Sequence, residues 1–264
     1  MILKSNYDEI NFNELYKAQR AKSSFGSKTV EDWDNKAAGM NESVHESIYI
    51  DEFLSRVDFN GVKSVLDFAC GPGTLSLKVA NRVDEVYAYD YSKNMLEFTR
   101  SNAKALNLTN IKTAQKAFED DWSDMPMCDI VFASRCLEVD DLSSALKKLI
   151  SKAKKAVYIT FKVGPSFVDE EILDVIKREV EPKPDYIYLV NILAQMGYLP
   201  RLDFVKSENK HTAATSADEL IKKVTWGIGS ELSEVEKERL KEYFHNGYEL
   251  KNEPMIWAFV RVDV

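Results

Sequence analysis

Asp67, Gly71, Gly73 and Asp90 are spaced for one task in this 264-residue chain. Asp67 lies inside the apolar run "VLDFA", the two glycines follow in "CGPGT", and Asp90 ends the next apolar run, "EVYAYD". A carboxylate within an apolar strand is expensive to bury without partners. Glycines on either side of Pro72 strip a turn of side chains, so a ligand can lie against main-chain N–H groups, and a helix starting there adds more donors. An acid 19 residues beyond Gly71 is placed to bond the two hydroxyls of a ribose. Together these residues can hold a nucleoside. The third position of a dinucleotide fingerprint falls on Ser76 instead of glycine, so a pyrophosphate is poorly served and a smaller nucleoside ligand fits better.

Such a turn belongs at the carboxyl end of a parallel strand, where the strand order reverses and leaves a crevice. From Lys63 onward the chain alternates as that requires. Strand patterns "KSVLDFA", "EVYAYD", "IKTAQK", "CDIVFAS" and "AVYITFK" are separated by helical ones: a first through Leu75, Leu77, Val79 and Ala80, a second opened by Ser92 as cap, and a third with Leu142, Ala145, Leu146, Leu149 and Ile150 on one face. Apolar runs divided by amphipathic helices predict a doubly wound α/β fold with a mostly parallel sheet covered on both faces. Beyond "VGPS" the alternation loosens. Helical patterns around 168–180 and 186–197 precede a strand "RLDFVKS", and capping boxes at Ser216 with Glu219 and Ser233 with Glu236 start helices before a last strand, "MIWAFVRV", which would make the sheet seven-stranded. Residues 12–57 read as helices, one of them capped by Thr29 and Asp32. The expected organisation is a helical cap over 1–61, an α/β core over 62–163, and a part over 164–264 that completes the sheet and carries helical lid insertions.

Composition narrows the partners. Lys and Arg number 35 against 43 Asp and Glu, a net charge of −8 that disfavours a broad nucleic-acid groove. Cys70, Cys128 and Cys136 are too few and scattered for a disulfide framework or a zinc knuckle, so no metal is expected and a reducing cytoplasm is the natural setting. No segment approaches the roughly 20 apolar residues of a membrane span, and "MILKSNYDEI" lacks the apolar run of a signal peptide. A cytoplasmic protein without a membrane partner is the expectation.

The stretch "DFACGPG", with Asp90 ending the second strand, resembles the class I S-adenosylmethionine-dependent methyltransferases, by motif over residues 33–163 and by element order over the rest. The resemblance implies a Rossmann-like sheet, S-adenosylmethionine as cofactor and S-adenosylhomocysteine as product. It implies that Asp67 is a cofactor-binding residue, that the turn from Ala69 to Gly73, with Cys70 and Gly71 in it, contacts the methionine part, that Asp90 holds the ribose, and that Tyr91 and Met95 flank the adenine. After the third strand the family's usual acid is replaced by Lys116 or Ala117, leaving Phe118 with Glu119 as the nearest substitutes. Ala133 and Ser134 would lie along the cofactor, and Arg135 would point toward the methionine carboxylate or the substrate.

A sulfonium already carries its leaving group, so catalysis needs an acceptor atom held in line ~3 to 3.5 Å from the methyl carbon more than it needs acids and bases. If the acceptor is a hydroxyl or an ammonium, a proton must still depart, and His45, His211 and His245 are the side chains with ordinary pKa values near neutrality. His211, in the loop after the sixth strand, is the candidate, with Arg135 as the second catalytic choice. Trp33, Lys36 and Trp226 are expected to close over the site as lid and substrate residues, whereas Tyr186 and Tyr188 are expected to pack helices on the sheet. Cys136 has no base beside it and reads as packing. The loop "SRCL" lacks the Asn/Asp-Pro-Pro-aromatic signature of exocyclic-amine methylation, and neither the proline-cysteine pair of cytosine methylation nor the glutamate pair of arginine methylation is present. The expected reaction is in-line methyl transfer to a small molecule, with no nucleic-acid partner. A non-catalytic nucleoside-binding protein, a nucleic-acid methyltransferase and a nucleotide-dependent oxidoreductase stay open as alternatives.

Overall fold

The computed structural model describes residues 6–208, 214–247 and 254–264. Strands form where the apolar runs lie: β1 Ser64–Phe68, β2 Glu85–Asp90, β3 Ile111–Gln115, β4 Cys128–Ser134, β5 Ala153–Lys162, β6 Arg201–Ser207 and β7 Met255–Asp263. They make one seven-stranded sheet in the order β3-β2-β1-β4-β5-β7-β6. The pairs from β3 across to β5 are parallel, and β7 runs antiparallel between β5 and β6. The order reverses at β1 and β4, so a crevice opens above their carboxyl ends. β5 starts earlier than the apolar run suggests, because Ala153 pairs with Cys128 before a register shift carries the ladder on to Ile130 and Ala156.

Among the described residues three α-helices precede the sheet: α1 Phe12–Lys22, α2 Val30–Ser43 and α3 Ile48–Leu54. Three more make the crossovers: α4 Ser76–Val79, α5 Lys93–Ala105 and α6 Leu142–Ser151. Four stand among the later strands: α7 Glu170–Ile176, α8 Tyr186–Gln195, α9 Ala217–Ile228 and α10 Glu234–Gly247. Side chains alternate across each strand. Leu66, Phe68, Val131, Val157 and Ile159 therefore pack toward Tyr16 of α1 and the apolar faces of α6 and α8. Val65, Ile130, Phe132, Tyr158 and Phe259 pack toward Tyr49, Ile50 and Phe53 of α3 and Val79 of α4. Helices α7, α9 and α10 share a third cluster, with Phe25 from the amino-terminal segment seated among Leu173, Leu220, Val224 and Ile228.

Caps set several helix starts. Thr29 with Asp32 and Ser233 with Glu236 form reciprocal capping boxes, and Ser92 accepts the Met95 N–H. Ser216 also caps its helix, but Glu219 turns away to Thr215, whose N–H and hydroxyl both donate to it at 2.8 and 2.7 Å. The box expected there is half formed. Helix α4 is a single turn, and the Asn110 amide takes the carbonyls of Ala80 and Val83 just beyond it.

Two glycines join the amino-terminal segment to the later helices. The Gly26 N–H donates to the Ile228 carbonyl at 2.9 Å, and Gly229 ends α9 in a left-handed conformation. A Cβ on Gly26 would lie 2.2 Å from the Gly229 carbonyl oxygen, and one on Gly229 would lie 2.7 Å from the Gly26 oxygen. Among the described residues no helix is long and apolar enough to cross a membrane.

Candidate functional site: the crevice above β1 and β4

The glycine turn is held in its shape from behind. Ala69, Gly71 and Gly73 have φ of +57°, +58° and +88°. A Cβ on Gly73 would press to 3.1 Å from Leu77 Cγ and 3.2 Å from Thr99 Cγ2, whereas one on Gly71 would enter open space. The Thr99 hydroxyl of α5 donates to the Gly71 carbonyl at 2.8 Å, and the Asn102 amide donates to the Pro72 carbonyl at 3.1 Å.

Asp67 acts on this turn through Ser76. Its Oδ2 accepts the Ser76 N–H at 3.1 Å and the Ser76 hydroxyl at 2.6 Å, and the residue is 1% exposed. Burial pushes its carboxyl up to about 7 against the pull of the two Ser76 bonds, with the charge of Asp90 adding to the rise. A serine at the third fingerprint position therefore has a structural reason: glycine there would leave Asp67 without its hydroxyl partner.

Asp90 bridges the two strand exits. One oxygen accepts the Gly71 N–H and the other the Ser92 N–H, both at 2.8 Å. Burial raises its carboxyl to about 6, opposed by N–H bonds from Ser92, Gly71 and Tyr91. Helix α2 crosses this exit. Asp34 accepts the Ser92 hydroxyl at 2.5 Å and the Asn94 N–H at 3.2 Å, and the Trp33 indole reaches the Tyr91 hydroxyl. Burial, with Asp90 and Asp32 nearby, pushes Tyr91 up to about 12. Trp33 meets Trp226 of α9 edge-on at 5.5 Å, and the ammonium groups of Lys28 and Lys36 stand 4.6 and 4.7 Å above the Trp226 ring. Trp33, Lys36 and Trp226 thus come together.

Other expected residues are placed more diversely. Met95 is buried in the first turn of α5. Phe118 joins an aromatic group with Phe68 and Trp122, its ring 4.6 Å from Phe68, and Glu119 is exposed. The Ala133 side chain packs in the core on the α6 side, so only its backbone can border the crevice. Cys70 and Cys136 are thiols pushed well above their ordinary range by burial, and Cys136 Sγ lies 3.8 Å from the Phe68 carbonyl. Tyr188 donates to Gln19 at 2.5 Å and Tyr186 packs edge-on against Phe204. His211 lies outside the described residues. His45 bonds Asn41 and Asn102 beside the turn, with burial lowering its pKa and Lys78 adding to the effect.

At the exit of β4 a residue from the amino-terminal part takes a central position. The Tyr49 hydroxyl, in a side chain 0% exposed, lies 2.7 Å from Ser134 Oγ and 2.5 Å from Thr160 Oγ1. Arg135 has φ of +57°, its N–H donates to Thr160, and its guanidinium stacks 4.1 Å above the Tyr49 ring. The next strand ends in Lys162, 3% exposed, whose ammonium bonds the Gly164 carbonyl. Burial lowers Lys162 to about 8, with Glu138 and Asp185 opposing that fall and Lys183 adding to it. Lys183 pairs with Glu138 Oε2 at 2.5 Å, and both lysines lie over the Phe167 ring. Glu138 Oε1 is buried without a hydrogen-bond partner among the described residues. Tyr49, Glu138, Lys162 and Lys183 were not singled out as site residues by sequence reasoning. A lysine ending an otherwise apolar strand was the available signal for Lys162.

The methyltransferase domain family matches residues 65–156, the stretch that carries the turn, Asp90 and Arg135. A protein of Haemophilus influenzae, described as uncharacterized, is 36% identical over 259 residues, 96% of each chain. A 23S rRNA (uracil(1939)-C(5))-methyltransferase of Aliivibrio fischeri is 27% identical over 128 residues, 48% of this chain and 29% of that one. In three dimensions, magnesium protoporphyrin IX methyltransferase of Synechocystis, solved with bound S-adenosylhomocysteine, superposes with a TM-score of 0.51 at 14% identity over 96% of each chain. The strand order and the match of that same stretch agree: residues 65–156 form a methyltransferase domain, carried on a Rossmann-like sheet of seven strands.

Proposed function

We propose that this chain transfers the methyl group of S-adenosylmethionine to a small-molecule acceptor enclosed beneath α2 and α9. The observation that carries the reading is the pairing of the Gly71 N–H with the Asp90 carboxylate at the switch point, which sets a ribose acceptor beside a bare main chain. The residues fit the cofactor: Gly71 leaves room where a side chain would intrude, and Gly73 fills a place no Cβ can occupy without displacing Leu77 or Thr99. In this reading the backbone from Ala69 to Gly73 lines the methionine part, Asp90 takes the ribose hydroxyls, and Tyr91 and Met95 border the adenine. When bound, S-adenosylmethionine supplies a methyl group on a sulfonium, which leaves with the carbon–sulfur electron pair as a neutral thioether. The protein's part is to aim an acceptor lone pair and exclude water. Tyr49 fixes the β4 exit through Ser134, and the amino-terminal helices with Trp226 serve as the lid. The aromatic pair Trp33 and Trp226 and the cation Lys162 over Phe167 support a small acceptor, as does the net negative charge of the chain. The cytoplasm, where this cofactor is made and used, is the proposed location.

Incubation with methyl-labelled S-adenosylmethionine and either a metabolite extract or ribosomal RNA tests this. Label in a small product supports the reading, and label in RNA alone would sink it. The pH dependence follows from Asp90. Its carboxyl is raised in the free protein, so a proton must be lost before both ribose hydroxyls can donate to it. Cofactor affinity is expected to be level above pH 7 and to fall about tenfold per unit below pH 6. Calorimetric titrations with S-adenosylhomocysteine from pH 5 to 8 check this, and a constant affinity would contradict it.

A further inference from the structure

We propose that the acceptor is a small anion whose carboxylate or phosphate is held by Lys162 and Lys183 at the β5 side of the crevice. The inference deepens the methyl-transfer reading and rests on it.

Lys162 is a cation at the end of a central strand, almost wholly removed from water, and among the described residues no carboxylate lies within ion-pair distance of it. Burying an ammonium is costly unless a counter-charge arrives. The protein gives it one backbone carbonyl and the face of Phe167. Lys183, 9% exposed, stands over the same ring and pairs with Glu138. Lys28 and Lys36 over Trp226 likewise have no ion-pair partner among the described residues, and Lys28 feels the charges of Lys183 and Glu138. The acids near this group have other work. Asp32 closes the α2 capping box, Asp185 accepts the Ile187 N–H at the start of α8, and Glu138 is engaged by Lys183. Four ammonium groups thus stand over two aromatic rings, Trp226 and Phe167, in a chain whose net charge is −8.

The place is right for an acceptor. Thr160, two residues before Lys162 and on the same face of β5, lies level with Ser134 across the β4 ladder, and Tyr49 joins their hydroxyls. Glu138 leaves Oε1 buried and unbonded, so a hydroxyl or amine on the same ligand would find an acceptor there. An anion at Lys162 would supply the missing counter-charge, and charge-assisted bonds to two ammonium groups would fix its orientation. The anchored group itself is not the nucleophile, because bonds from two cations draw down its lone pairs. Another atom of the ligand faces the methyl.

The test uses inorganic phosphate and L-malate as probes, with thermal unfolding and calorimetry read with and without S-adenosylhomocysteine. Both anions are expected to stabilise the protein. Lys162→Met is expected to weaken malate binding about tenfold or more while leaving S-adenosylhomocysteine affinity unchanged, and Lys162→Arg, which keeps the charge, is expected to retain it. Lys183→Met gives a second measure in case Lys162→Met fails to fold. No stabilisation of the native protein by either anion overturns the proposal, and so does malate binding that survives both methionine substitutions. Failure to bind S-adenosylhomocysteine would instead strike the cofactor reading, and that titration is read separately.

Discussion

Asp90→Ala is expected to weaken S-adenosylmethionine binding by about 100-fold or more, since two charge-assisted hydrogen bonds at roughly 1.5 to 3 kcal/mol each are lost with the carboxylate. The unliganded protein should tolerate the change far better than the complex. In the free state this carboxyl is held near 6 by burial, so at pH 8 its ionised form is a cost to folding as well as an acceptor for Gly71 and Ser92. A carboxyl whose folded pKa is raised contributes stability that is present below its unfolded value and lost as pH rises through the folded one. For Asp90 that window runs from about 4 to 6, and for Asp67 from about 4 to 7. Asp67→Asn separates the two roles. An amide oxygen can still accept both Ser76 bonds, so cofactor affinity should hold while the unliganded protein gains stability at pH 8. Calorimetry and thermal unfolding of both variants at pH 5 and pH 8 decide the matter. Equal loss of affinity in the two would remove the distinction between the acid proposed to meet ribose and the acid that bonds Ser76 in the turn.

Gly229→Ala is expected to be the most damaging single change outside the crevice. The position is left-handed, which alone costs a non-glycine residue of order 1 kcal/mol or more, and its new methyl would collide with the Gly26 carbonyl. Relief requires the amino-terminal segment to lift from α9, drawing Phe25 out of its cluster and Trp33 away from Trp226. Methyl transfer should therefore fall by an order of magnitude or more, while an isolated cavity change at this distance would leave it alone. Gly26→Ala probes the same contact from the other side, at 2.2 Å. Activity measured beside the unfolding temperature checks the prediction, and full activity in both variants would show that the lid does not depend on this junction.

Much of this architecture is legible in the amino-acid sequence, because alternation and caps are local signals. All seven strands lie on the apolar runs that announced them, and Thr29, Ser92 and Ser233 cap the helices they precede. The turn was legible for a similar reason: two glycines and two acids at fixed spacing have few other uses. What stayed hidden was long-range. Tyr49 is an ordinary aromatic in an amphipathic helix until the fold carries it to Ser134 and Thr160. Lys162 and Lys183 acquire meaning only when the 20 residues between them fold back so that both stand over Phe167. Phe118 was read from its place after the third strand, yet apolar neighbours on the sheet face claim it for packing with Phe68 and Trp122.

The antiparallel strand β7 has a bearing on how the molecule comes to be assembled. It sits between β5 and β6 and supplies hydrogen bonds to both, although it is made after either of them. A chain emerging from the ribosome has two unpaired strand edges, one along the middle of the future sheet, until residues 255–263 are free to insert. Completion of the sheet is therefore a late event, and helpers that shield exposed edges during synthesis should matter more for its yield than the final stability does.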